Sequence, residues 1–331
     1  MRVLKSVFFL WLSLAVVSLS VSAIDEGNKV VAGNGEAGFV DGMQARLNKP
    51  IRMAPYGPGN ILVADISNHA IRIVSKDGLV TTIAGGPDKK GQKDGPAEVA
   101  MFDGPHGVAV SKEGVIAVAD ASGHTVRIIT KETAVDGSIS YMVKTIAGVA
   151  NTSGMQDGPA ELAMFNSPHG LVWDNDGGLL VVDIGNASIR RIKDGVVSTV
   201  LPAGTEGMVM PIDIGTSPDG SFLIADAGNN QALRWSFGSD GVEAVKTDRD
   251  LKVPHGISGG TNGTVYVAEL GSHQVTKIFE GHTTILVGDG EVGLQANRLN
   301  KPAAVLVHDG LLWIADLNNH RITAVPLKTD D

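Results

Sequence analysis

One fourteen-residue unit recurs six times along the chain, which confines the fold to repeat architectures that stack or close on themselves. The first copy, Ile-Leu-Val-Ala-Asp-Ile-Ser-Asn-His-Ala-Ile-Arg-Ile-Val, begins at Ile61, and counterparts begin at Ile116, Leu179, Phe222, Val265 and Leu312. Each carries an acidic residue at its fifth position: Asp65, Asp120, Asp183, Asp226, Glu269 and Asp316. A β-rich run ends on that residue, a turn of Gly, Ser or Asn follows, and a second run rich in Ile and Val returns. The carboxylate belongs at the corner because it can accept turn N–H groups. Arg72, Arg127 and Arg190, each seven residues further on, are placed to pair with it across the hairpin.

A proline-led strand precedes every hairpin, starting at Pro50, Pro105, Pro168, Pro211, Pro254 and Pro302. A fourth short strand follows it, as in Thr81-Thr82-Ile83-Ala84-Gly85. Six units of four strands, apolar on both faces, describe an all-β, six-bladed β-propeller. The sixth unit ends without a fourth strand, and Lys29-Val30-Val31-Ala32-Gly33 repeats the fourth-strand pattern at the other end of the chain. That segment is expected to complete the last blade and remove an open edge. A length of 331 residues, which by itself suggests about two domains, is therefore read as one propeller over residues 24–331.

The corner pattern Asp-x-x-Asn-His-x-Ile-Arg, with a Pro-led strand before it, resembles the NHL repeat. The resemblance extends over the chain from the first unit to the sixth and implies a six-bladed propeller, a fold that hosts many functions. Blade four departs from the pattern with Asn229-Asn230-Gln231 and Arg234. Blade five departs with Glu269 and Lys277.

Residues 1–23 have a basic start at Arg2 and Lys5, an apolar stretch from Val7 to Val17, and a small-residue exit at Val21-Ser22-Ala23. This is the pattern of a cleaved secretory leader, so a secreted or periplasmic protein, without a membrane span after cleavage, is expected. The absence of cysteine excludes disulfides, thiolate metal sites and a cysteine nucleophile. Net charge is −9, and removal of Arg2 and Lys5 with the leader makes it −11. An acidic chain without a basic run is a poor partner for nucleic acid. A monomer is expected.

The connections Asp94–Phe102 and Asp157–Phe165 are near duplicates, with related versions at Asp41–Leu47 and Leu294–Leu299. Each reads as one helical turn that packs its Phe or Leu inward. The connections into blades four and five lack the pattern. That predicts a loop face more open over those blades. Asn151, Asn186 and Asn262 head glycosylation acceptor triplets.

Histidine falls in two repeated places. His69, His124, His273 and His320 occupy the hairpin corner, where a role in bonding the backbone is expected. His106, His169 and His255 stand in Pro-His-Gly at the start of the innermost strand, where a propeller lines its axial channel. Equivalent positions lie at equal depth, so the ring at this level reads Ile51, His106, His169, Ile212, His255, Ala303. Three imidazoles have the type and count of a zinc site with one open position. They resemble, more weakly, the zinc histidines of peptidyl-hydroxyglycine amidating lyases, propellers in which those residues come from alternate blades. Here blades two, three and five supply them. Asp213 and Arg52 are the nearest polar candidates for catalysis. Asp213 would serve as base or orient a bound water, and Arg52 would bind a substrate carboxylate. The alternative is that Pro-His-Gly is a strand start whose histidine bonds a neighbouring blade. Two functions follow: a binding module for a protein, peptide or glycan at its loop face, or a zinc-dependent lyase or hydrolase.

Overall fold

The structure, a computed structural model, describes residues 28–239 and 241–328; the proposed leader, residues 1–23, lies outside them. Six antiparallel sheets are arranged as a six-bladed β-propeller. The innermost strands run Pro50–Pro55, Pro105–Val110, Pro168–Trp173, Pro211–Thr216, Pro254–Gly259 and Pro302–His308. Every blade begins at the proline, whose missing N–H suits a strand start. Blades two and three each gain a two-residue fifth strand, Gly95–Pro96 and Gly158–Pro159, which the sequence did not announce. Both come from the near-duplicate connections and shield the outer edge of the blade.

Closure follows the expected route. Lys29–Ala32 pairs antiparallel with the third strand of blade six, Arg321–Pro326, with Lys29 opposite Ala324. The two ends of the described chain thus share one sheet.

Apolar side chains alternate on both faces of each sheet and meet between blades, giving six inter-blade clusters rather than one central core. Each cluster also takes one large buried side chain from a connection: Phe102, Phe165, Leu299 and Leu47 where the repeated motif is present. Met208 and Leu251 do the same for blades four and five, whose connections lack the motif. The helical turn is present as Ala100 N–H bonding Pro96 O at 3.0 Å and Ala163 N–H bonding Pro159 O at 2.9 Å.

The corner pairs form as predicted in blades one to three. Arg72 meets Asp65 at 2.7 Å, Arg127 meets Asp120 at 3.2 Å and Arg190 meets Asp183 at 2.9 Å, all six side chains fully buried. Blade six reaches the same result from another position, Arg321, at 2.8 Å from Asp316. In blade five the partner of Glu269 is Arg249, from the preceding connection, at 2.5 Å and 3.0 Å. In blade four Asp226 accepts from the Met210 N–H and from Gln231 instead of an arginine.

The corner histidines are staples between blades. Nδ1 of His69, His124, His273 and His320 accepts the N–H of Gly104, Ser167, Lys301 and Lys49 at 3.0–3.2 Å, always the residue before the next blade's proline. Asn230 Oδ1 makes the same bond to Val253 at 2.8 Å. All five of these corner residues hold a left-handed backbone, as do the residues that donate to them. Only the junction of blades three and four differs. Its corner residue is Ala187, which has no acceptor, and the Met210 N–H is taken by blade four's own Asp226.

Candidate functional site at the channel axis

In blades two, three and five the innermost strand approaches its neighbour so closely that the second residue after proline must be glycine, whereas blades one and four carry Arg52 and Asp213 there. A Cβ on Gly107 would lie 1.9 Å from His169 O, and one on Gly256 would lie 2.5 Å from Ala304 Cα. The glycine of Pro-His-Gly is therefore required by inter-strand approach. It leaves the histidine as the side chain at the channel start.

The five candidate residues do come together there. Arg52 of blade one crosses the axis to Asp213 of blade four, Nε to Oδ1 at 3.0 Å, with both side chains buried. Its Nη1 donates to Ala303 O at 2.7 Å and lies 3.1 Å from His255 Nδ1; its Nη2 donates to His255 O at 2.7 Å and Ile212 O at 3.4 Å. One guanidinium thus ties blades one, four, five and six. Asp213 Oδ2 accepts the Ile257 N–H at 3.1 Å, which extends the network along blade five. On the remaining side the rings of His106 and His169 stack at 3.7 Å with planes 16° apart. All six blades contribute to this layer, and it closes the axis.

The electrostatics fit a plug. Burial drives His106 and His255 well below the ordinary imidazole value, and neighbouring positive groups, the Arg52 guanidinium among them, add to the effect. His169 is pushed down to about 3 by burial and by Arg52. All three rings are neutral at neutral pH. Burial raises Asp213, and the adjacent Arg52 charge pulls it back towards the carboxylate form.

The residues do not fit zinc. Two of the three rings face each other flat rather than turning lone pairs to one point, and the third has Nδ1 against Arg52 and 2.8 Å from Ala303 O. A guanidinium beside the rings repels a dication. Among the described residues no group of three or more His, Asp or Glu side chains is placed to hold a metal ion. Arg52 has its donors turned to protein oxygens and Asp213 has its oxygens engaged, so neither presents a free group to a substrate.

Beyond the plug the channel widens. A cavity of ≈ 290 Å³ runs from Arg52 and Asp213 along the innermost strands, lined by Ala109, Ile214 and Val305 among others. A second cavity of ≈ 640 Å³ sits over the turns of blades two, three and four and shares Val110, Trp173 and Thr216 with the first. Both lie on the side away from the inter-blade connections. The repeated connections point instead to the opposite face. The signal for the other face was the Trp and the polar residues at the first turn of blades two to four, Ser111-Lys112-Glu113 and Trp173-Asp174-Asn175, which no motif marks.

A family model for the NHL repeat matches residues 102–129, the end of one connection, the first two strands of blade two and the start of its third. NHL repeat-containing protein 2 of Gallus gallus is 34% identical over 117 residues, 35% of this chain and 15% of that protein. The chain therefore matches only a small part of that relative's length. Among solved structures, a streptogramin B lyase superposes with a TM-score of 0.58 at 16% identity, covering 87% of this chain and 96% of that one. A gluconolactonase from Xanthomonas campestris superposes with a TM-score of 0.59 at 11% identity, covering 92% and 95%. At such identities the likeness is one of fold.

Proposed function

We propose that this NHL-repeat β-propeller is a recognition module that binds a protein, peptide or glycan at the channel mouth opposite its inter-blade connections. The observation that carries the reading is the cross-axis plug. Arg52, Asp213 and His255 are committed to one another and to backbone carbonyls, His106 and His169 are stacked ring on ring, and the space left free is a cavity with a polar rim. Pre-formed cavities of this size with a few polar groups are what small binding sites use. The leader pattern at residues 1–23 supports action outside the cytoplasm, as a monomer in a secreted or periplasmic setting. A zinc-dependent lyase or hydrolase finds no support in the ring geometry, and the lyase and lactonase neighbours share only the fold.

The test is a binding screen of the chain from Ile24 onward against peptide and glycan arrays, run beside lactone-hydrolysis and lyase assays. Specific binding weakened by a Lys112→Ala/Asn175→Ala variant is expected. Turnover lost in an Asp213→Asn variant that retains its melting temperature would overturn the reading.

A further inference from the structure

We propose that the cavity over blades two to four is a subsite for a neutral, hydroxyl-rich ligand, an oligosaccharide segment. The inference rests on the recognition reading above and narrows the ligand class. The site is built rather than incidental. Trp173, the last residue of its innermost strand, lines both cavities where they meet, so a ligand at the mouth would contact its ring. Its indole Nε1–H is buried and meets no acceptor among the described residues. Buried donors of this kind are rare, and each needs a partner. The atom is closed to water in the free chain, so a ligand oxygen would supply the partner through a shift of the indole at the mouth.

Charge on the lining narrows the chemistry further. Lys112 and Glu113 are adjacent in one turn and offset each other. Asp174 is already satisfied: Oδ1 accepts the N–H groups of Asp176 and Gly178 at 2.8 Å each, and Oδ2 pairs with Arg191 at 2.7 Å. No cationic cluster is present to select phosphate or carboxylate, and no surplus of anions to select a polyamine. A peptide would be expected to use a free strand edge, an apolar groove or an arginine cluster. The turns that wall this cavity offer none of these. What they offer is two aromatic rings, Trp173 and Phe222, one donor without a partner, and small polar groups, Ser111, Asn175 and Ser217, in the lining. Stacked apolar sugar faces and ring hydroxyls match that set.

The experiment titrates the chain with neutral gluco-, manno- and galacto-oligosaccharides, their anionic counterparts and a peptide library, read by tryptophan fluorescence and calorimetry. The chain from Ile24 onward keeps Trp173, Trp235 and Trp313, and because Trp235 packs against the cavity-lining Phe222, a fluorescence change is assigned to Trp173 by its loss in Trp173→Phe. At least one neutral oligosaccharide is expected to bind. Trp173→Phe, which keeps the ring and removes the N–H, is expected to weaken it up to about tenfold without lowering the melting temperature. Binding of peptides or anionic glycans alone, weakened by Trp173→Phe, would overturn the sugar assignment and leave the recognition reading standing. Binding untouched by Trp173→Phe and by Asn175→Ala, or no binding at all, would overturn both.

Discussion

Arg52 and Asp213 face each other across the propeller axis at 3.0 Å, from blade one to blade four, directly opposite blades of the ring. The pair acts as a tie-rod. Asp213→Asn leaves a buried guanidinium without its counter-charge, and losses of about 3–5 kcal/mol are typical for a broken buried pair. Urea denaturation should show a loss of that order. A loss below about 1 kcal/mol would mean that the backbone carbonyls around Arg52 suffice to hold it.

The staple formed by His124 Nδ1 and the Ser167 N–H predicts which substitutions the corner tolerates. Asn230 makes the same bond in blade four with an amide oxygen. His124→Asn should therefore melt within a degree or two of the parent, while His124→Ala loses both the bond and a residue suited to left-handed backbone, about 1–2 kcal/mol together. Equal effects of the two substitutions on thermal melting would refute the staple.

Ala187 holds φ 48° at the one corner without a staple. Glycine there should raise stability by about 1 kcal/mol, since left-handed backbone costs other residues that much. Ala187→Asn should gain no more than Ala187→Gly, because the Met210 N–H it would reach is already bonded to Asp226. A clearly larger gain for asparagine would show that the Met210 amide can be recaptured.

Burial lowers His69 and His320 below the imidazole value of 6.5 in the folded chain. Both accept an N–H through Nδ1, which a protonated ring cannot do. The unfolded chain then binds protons that the folded chain refuses, so their stabilisation is complete above about pH 6.5 and declines as pH falls from there to the lowered folded values. Buried carboxylates with raised values, such as Asp65 at about 6 and Asp120 at about 7, run the opposite way. A His69→Asn/His320→Asn variant isolates the histidines, because the carboxylates cancel in the comparison. Its melting temperature should match the parent at pH 8 and exceed it progressively below pH 6.5; parallel curves would exclude the linkage.

Removal of Lys29–Ala32 exposes the edge of Arg321–Pro326. A chain beginning at Gly33 should melt at lower temperature and show concentration-dependent association, since an unpaired strand edge recruits other chains. Unchanged melting with no association by light scattering would show that blade six stands without its outer strand.

The blades were legible because their signals are local. Alternating apolar residues, the corner carboxylate and the proline start act within about ten residues, and six copies reinforce one another. The His at the corner was readable as structural for the same reason, although its partner, the N–H before the next blade's proline, was not. The repeat's arginine position in blade five, seven residues after Glu269, holds Thr276, which bonds the Glu269 carboxylate, and Arg249 from the connection supplies the charge, because a connection can enter a corner as readily as a strand can. The gathering of His106, His169 and His255 at one depth was also legible, since ring symmetry sets depth. Their orientation was not.

The repeat by itself determined the ring, its blade count and its closing strand, because hydrophobic period and turn chemistry are properties of neighbouring residues. Only the tertiary structure decided what the axis does. The role of Arg52 depends on which carbonyls and carboxylate lie across a channel from it, and those belong to blades far away in sequence. A guanidinium that would hold a substrate in an open channel becomes a structural bolt when four backbone oxygens and Asp213 close around it.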